Sequence, residues 1–573
     1  MPNFFTENKD LQFQFEHLQL EEITAILEND YRDAKQYDDA PRDYADALDN
    51  YGKVLEIVGD IAGNYIAPRA AGVDEAGSSF QDDTVIYAPG TQEALERLSQ
   101  AELMGITLPR KFGGLNFPHT VYMMAIEMIS RADASLMNLF GLQDIGETIH
   151  KFGSEEQQAE FLPGFARGEF TGAMALTEPD AGSDLQAVKL HAWQNEEGQW
   201  FLRGVKRFIT NGNGNVLLVL ARSEAGTKDG RGLSLYVCYG DETVKVRRIE
   251  NKLGIHGSPT CELVFNDTPA QLIGKRKFGL IKYVMDLMNG ARLGVSAQAL
   301  GISQASYEAA LVYARTREQF GQPIYNIPVV ANMLVDMRVR LESNRSLLYA
   351  TAKWVDLRDK LETKISRLKA EGRDFQQENA RVKEANKVAA LLTPLTKYVL
   401  TESANQIAYD SLQIHGGAGY MKEFTVERLA RDARITNIYE GTSQMQVVAA
   451  MGGVVNDLLK EYFEAKGEKV YKGNLNRLAE QLREIREIYL DCLKYILDKK
   501  DQQFQDVAAR ELVELYSFLF SGYLLLEEAE KSQRKIFIAN RYIIGALAQA
   551  RRNAEVIKSE QFSDLLHTEE ILS

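Results

Sequence analysis

Cysteine is nearly missing from this 573-residue chain: Cys238, Cys261 and Cys492 stand alone, none in a metal or redox spacing. That excludes a disulfide framework and fits a reducing compartment, with the three thiols expected to be buried and inert. Histidine is almost as sparse, at seven. None lies four residues from another or beside a cysteine pair, so no metal site is expected. No run approaches ~18 uninterrupted apolar residues, which argues against an integral membrane helix. Residues 1–30 have neither the apolar core of a signal peptide nor the basic, acid-poor composition of a transit peptide, so the protein reads as cytoplasmic. Positive charge is in deficit, with 66 Lys and Arg against 81 Asp and Glu and a net charge of -15. Nucleic acid and anionic lipid surfaces are therefore poor partners. No Gly-x-Gly-x-x-Gly follows a strand pattern, which leaves a Rossmann domain unsupported. Internal repeats and low-complexity segments are absent too.

What is present is ordinary globular material, 45% hydrophobic and 26% charged, in a chain too long for one core. Residues 1–40 read as an N-terminal arm, with Phe13 and Phe15 alternating ahead of a helical stretch and a break at Asp38-Asp39-Ala40-Pro41. Helical periodicity dominates 41–170. Short β-rich runs such as Val216–Leu220 and Leu233–Val237, separated by Asn and Gly turns, mark a β domain over 171–277. Helical periodicity returns over 278–460. Within it Leu357, Leu361, Ile365 and Leu368 recur at helical spacing among charges, so 355–385 should be an extended, solvated hairpin. After the polar break at 465–469, a stripe of Leu475, Leu478, Leu482, Ile485, Tyr489, Cys492 and Ile496 predicts an extra helical domain over 461–573. The expected fold class is mainly α with a central β domain, plus that C-terminal addition.

Two segments carry the chemistry. Gln413-Ile414-His415-Gly416-Gly417-Ala418-Gly419-Tyr420 precedes Ile438-Tyr439-Glu440-Gly441-Thr442-Ser443-Gln444. Glycines let a backbone approach a dinucleotide closely. Thr442 stands where a helix cap belongs, ahead of an apolar stretch, and puts Glu440 at a helix start. A glutamate there suits a general base facing a buried cofactor. Taken alone, a glutamate before glycine is usually a solvated cap and Gly416-Gly417 a plain turn.

Further segments run in a consistent order: Leu108-Pro109-Arg110-Lys111-Phe112-Gly113-Gly114, Leu176-Thr177-Glu178-Pro179-Asp180-Ala181-Gly182-Ser183-Asp184, Arg207-Phe208-Ile209-Thr210-Asn211-Gly212, and Arg315-Thr316-Arg317-Glu318-Gln319-Phe320-Gly321. Together they resemble the acyl-CoA dehydrogenase family from about Leu103 to about Gly453, and its C-terminally extended branch of long-chain and methylthiopropionyl-CoA types beyond that. The resemblance implies FAD as cofactor and conversion of an acyl-CoA thioester to the trans-2-enoyl product, with Glu440 as catalytic base and electron-transfer flavoprotein as acceptor. A second group of members carries the base just before an arginine, but here Ala291 precedes Arg292 and cannot act.

By the same resemblance, Met174, Leu176, Thr177 and Ser183 lie along the flavin ring, with Phe208 and Thr210 on its other side. Phe208 stands where many members have tryptophan. Arg317, Gln319 and Phe320 match the grip on a neighbouring subunit's flavin pyrophosphate, Gln413, Gly416 and Gly417 its adenosine side, and Thr442 and Gln444 flank the base. Ser183, Asn289, Arg292 and Gly441 match positions bordering the substrate. Asn289 replaces the usual aspartate, and Pro328 a usual glutamine. The extension implies a homodimer rather than a dimer of dimers. An acyl-CoA oxidase using O2, or a catalytically idle relative kept as a scaffold, are the competing readings.

Overall fold

The computed structural model describes residues 2–559, 564–565 and 567–573; the other positions of the expected arm and terminal domain lie outside the described residues. The chain forms two compact units, Met1–Ser306 with Gly416–Glu440, and Tyr307–His415 with Gly441–Ser573. Among the described residues, no helix is long and apolar enough to cross a membrane.

The first unit opens on helices Lys9–Glu16 and Glu21–Leu27. Asn8 caps the former by accepting from the amides of Asp10 and Leu11, which satisfies donors that the first turn leaves unpaired. Phe13 and Phe15 lie inside this helix rather than ahead of it, and Phe15 meets Phe5 edge-on at 5.4 Å. Helices then run from Tyr44 to Phe152 and beyond, with His119–Ala132 buried along nearly its whole length. One interruption escaped the helical reading of 41–170: strands β1 (Ser79–Gln81) and β2 (Thr84–Ile86) form a hairpin. Its turn residues Asp82 and Asp83 both have positive φ, 50° and 60°, as a two-residue hairpin turn requires.

The β domain comprises β3 (Gly172–Ala175), β4 (His191–Gln194), β5 (Trp200–Thr210), β6 (Val216–Arg222), β7 (Leu233–Tyr239), β8 (Val244–Ile249) and β9 (Thr260–Leu272). Their order is β3-β6-β4-β5-β9-β7, with β8 also on β9 and a β6–β7 pairing that closes the path on itself. Leu218, Leu220, Leu235 and Val237 face one apolar cluster, while Leu217, Val219 and Tyr236 face another. Covering both faces is why these strands read as continuous apolar runs. β5 carries an irregularity between Lys206 and Ile209, a local bend that re-aims side chains. Cys238 and Cys261 are buried in the second cluster, and burial pushes both thiols up, Cys261 to about 11. They are poor nucleophiles for that reason.

The second unit is built on a long antiparallel hairpin, Pro328–Ala370 and Gln376–His415. Leu361, Ile365 and Leu368 are buried along it, while Lys364 pairs with Glu378 across its outer end at 3.0 Å. Helices Asn474–Lys499, Ala509–Ala529 and Gln533–Lys558 pack together and onto the hairpin and Ser443–Val455. The stripe from Leu475 to Ile496 is buried, each Leu or Ile contributing roughly 1.5–3 kcal/mol over exposure. Lys535, itself buried, bridges Glu342 at 2.9 Å and Glu528 at 2.8 Å, and so ties the last long helix to the hairpin.

Candidate active site

Glu440 ends the first unit. The helix before it, Val426–Thr436, is amphipathic and fixed in place. Arg431 donates to Asp74 at 2.6 Å and to Glu427, and Asp432 accepts the Ile255 amide at 2.6 Å. The chain then turns, with the amides of Ile438 and Tyr439 returning to the Ile435 carbonyl. Glu440 has φ 54°, a left-handed conformation costing a residue with a Cβ about 1–2 kcal/mol.

Two kinds of group face this turn within the unit. The Tyr439 hydroxyl meets Gln298 and, at 3.2 Å, Asn138. Burial and the Glu440 charge both push that phenol's pKa up, so it stays a neutral donor. Arg292, only 9% exposed, donates from Nη1 to Asn289 Oδ1 at 3.0 Å, and its buried Nε has no hydrogen-bond partner among the described residues. Burial lowers the Arg292 pKa while the Glu440 carboxylate works against that, so the two are electrostatically coupled. Asn289 and Arg292 lie three apart on helix Met285–Thr316, one face of one turn.

The flavin-loop candidates of this unit gather around the exit of β3. Met174 is in β3, paired with Leu218, and Leu176, Thr177 and Ser183 follow in the connecting loop. Thr177 accepts the Arg207 amide at 2.9 Å. Phe208 sits at the β5 irregularity with φ 60° and is 51% exposed, its ring under the Arg207 guanidinium at 4.6 Å. Thr210 pairs with Thr260. Glu178, read only as part of this motif, does something the motif did not disclose. Its buried carboxylate accepts the amides of Lys189 at 2.7 Å and Leu190 at 2.8 Å, and Lys206 Nζ at 3.0 Å. Lys206, wholly buried, also donates to the Leu176 carbonyl at 2.8 Å. Burial pulls the lysine down to about 8, with Glu178 pulling the other way. Gly416, with φ 60°, and Gly417 leave open space where a Cβ would stand.

In the second unit, Arg317 precedes a tight hairpin, Glu318–Gln319 against Gln322–Pro323. Phe320 and Gly321 turn it at φ 54° and 75°, leaving Arg317, Gln319 and Phe320 exposed. Gln413 is exposed near the end of Gln376–His415. Thr442 is the N-cap of Ser443–Val455 and accepts the Met445 amide at 3.4 Å; Gln444 is exposed in that helix's first turn. Gly441 has φ 92°, and a Cβ there would stand 2.5 Å from Gln446 Nε2. Its carbonyl accepts from the buried Lys397 at 2.8 Å and from Gln446 at 2.9 Å. Neither Lys397 nor the pair Asn138 and Gln298 was singled out from sequence; their partners lie tens to hundreds of residues away, beyond any local pattern.

The chain therefore runs from helices through a closed β domain to further helices, with a glutamate on a strained turn. The sequence matches the acyl-CoA dehydrogenase N-terminal domain over 51–169, the middle domain over 173–268 and the C-terminal domain over 281–383 and 377–451. A further match, acyl-CoA dehydrogenase C terminal, spans 453–565. The chain is 31% identical over 529 residues to 3-methylmercaptopropionyl-CoA dehydrogenase of Ruegeria pomeroyi, covering 85% of this chain and 84% of that one. With an acyl-CoA dehydrogenase of Bacillus subtilis it shares 34% over 360 residues, 62% of this chain and 87% of the relative. It therefore belongs to the acyl-CoA dehydrogenase family, a family of oxidoreductases. Butyryl-CoA dehydrogenase from Megasphaera elsdenii superposes with TM-score 0.59 at 29% identity, covering 71% of this chain and 98% of that one. An acyl-CoA dehydrogenase from Bacillus anthracis, solved with FAD, superposes with TM-score 0.75 at 23% identity over 91% of this chain and 90% of that one. The wider coverage of the second shares the C-terminal addition, at the level of fold.

Proposed function

We propose that the protein is an FAD-dependent dehydrogenase that converts a saturated acyl-CoA thioester to trans-2-enoyl-CoA, with Glu440 as base and electron-transfer flavoprotein as acceptor. The observation that carries this reading is a carboxylate on a left-handed turn, coupled to a buried arginine whose Nε lacks a partner. Such perturbed, under-satisfied charge clusters mark functional sites more often than structural ones. FAD, when bound, supplies the acceptor for the β hydrogen, which leaves as hydride. Glu440 takes the α proton, and the electron pair left behind becomes the new double bond. The Glu440 amide donates to the thioester oxygen as negative charge develops there. Arg292 sets a positive charge against the Glu440 carboxylate.

The residues fit the cofactor. A half-exposed Phe208 ring beside Thr177 offers an aromatic wall, and Gly416 and Gly417 let backbone approach the adenosine side of the cofactor without a Cβ in the way. Val312, Phe320 and Val329 of the second unit hold apolar side chains in solvent, which supports a contact with another subunit. The Ruegeria relative's name puts 3-methylmercaptopropionyl-CoA first in a substrate panel.

The test is anaerobic mixing of FAD-loaded protein with that panel. At least one thioester should bleach the visible flavin band and yield its enoyl product. A protein that holds FAD but bleaches with none contradicts the reading, and hydrogen peroxide as the main product in air would move it to the oxidases.

A further inference from the structure

We infer that Asn138 and Gln298 are positioning residues that act through the Tyr439 hydroxyl to hold Glu440 in its left-handed conformation. This rests on the reading of Glu440 as the base.

The chain of contacts is continuous and runs from the buried core to the half-buried Tyr439. Gln298 is fully buried on the same helix as Arg292 and Asn289, and Asn138 is buried on helix Ala134–Gly141. Gln298 Nε2 donates to the Ala134 carbonyl at 2.8 Å and to Asn138 Oδ1 at 3.1 Å. With both amide protons committed, its oxygen is left for Tyr439, so the phenol donates. Asn138 Nδ2 in turn donates to Ser258 Oγ at 3.2 Å, and Ser258 Oγ to the Ile255 carbonyl at 3.3 Å. Each amide is thus fixed at both ends, and the ring it holds is the residue next to Glu440. Two buried amides are a costly way to fill a core that leucine or methionine would fill. A fully satisfied polar network instead specifies one geometry. Glu440 needs that specification, because its backbone lies outside the regions its side chain prefers.

The experiment compares wild type with Y439F and with the double variant Y439F/Q298M, all FAD-loaded and full length. Y439F keeps the ring and removes only the hydroxyl. The double variant removes the donor and acceptor of that bond together but also takes both donors from the buried Asn138 Oδ1, so its melting temperature is measured alongside and the decision rests on Y439F. Two readouts are taken: steady-state kcat and KM with the best thioester, and amide hydrogen exchange of the peptide spanning 438–442.

The inference expects kcat to fall about tenfold or more, the factor of one ordinary hydrogen bond, with KM within about threefold and faster exchange across 438–442. Unchanged exchange with kcat within about twofold overturns it. A rise in KM with kcat unchanged also overturns it, by making the array pocket lining. If wild type oxidises no thioester, the functional reading fails by that observation, and exchange at 438–442 still decides whether the array holds the turn.

Discussion

Glu178 and Glu440 belong to the same unit and lie in neighbouring parts of the expected flavin site, yet their surroundings are opposite. Glu178 is buried with two amides and a lysine ammonium on its carboxylate, on a backbone without strain. Glu440 is half-buried on a left-handed turn, coupled to an arginine that has a vacant Nε. A carboxylate tied to two backbone amides and a buried ammonium is committed to holding the fold. One on a left-handed turn with an arginine charge beside it is placed for chemistry rather than for holding the fold. Asp432 falls between them: buried, with one amide donor from Ile255, and pushed up to about 7 by burial, with the Ile255 amide and Arg428 opposing and Asp133 and Asp74 adding.

Substitution at each carboxylate sharpens this contrast. Glu440→Gln should have the largest effect, lowering kcat by about 10²- to 10⁴-fold while leaving the melting temperature and bound FAD near wild type. Glu178→Gln leaves Lys206 buried without a counter-charge and should destabilise the fold by about 3–5 kcal/mol, read by denaturant unfolding. A loss below ~1 kcal/mol would mean that the pair is not structural. Arg317→Ala removes an exposed fork of donors and should lower FAD occupancy several-fold, measured by the ratio of flavin to protein absorbance. Normal occupancy would leave this arginine with no role in holding the cofactor.

The smallest effect concerns pH. Asp432 has a folded pKa of about 7, above its ordinary 3.8. A raised carboxyl binds its proton more tightly when folded, so its contribution to stability is full below ~4 and is lost as pH rises through 7. Asp432→Asn keeps an acceptor for Ile255 and should flatten the fall in stability between pH 4 and 7. An unchanged slope would show that Asp432 is ionised in the fold.

The sequence disclosed what local pattern can carry. Thr442 was legible as a cap because a threonine before an apolar helical run has few other uses, and the 355–385 hairpin and the 475–496 stripe because their apolar spacing spans many turns. The β1–β2 hairpin was missed because Asp82-Asp83 turns without glycine. At the site, Glu440 stood out through its companions, but the hydrogen bonds of neighbouring Tyr439 to Asn138 and Gln298 and the pairing of the Glu440 charge with Arg292 depend on residues about 140 to 300 positions away. Glu178 shows the same limit from the other side, since a motif names a residue without saying which partners will occupy it.

The most direct test of the central contrast is single-turnover flavin reduction by a saturating acyl-CoA, measured per bound flavin in Glu440→Gln and Glu178→Gln side by side. Glu440→Gln should show no reduction on the wild-type timescale, and whatever Glu178→Gln protein folds and holds FAD should be reduced within about tenfold of wild type. Flavin reduction by Glu440→Gln within tenfold of wild type would contradict it.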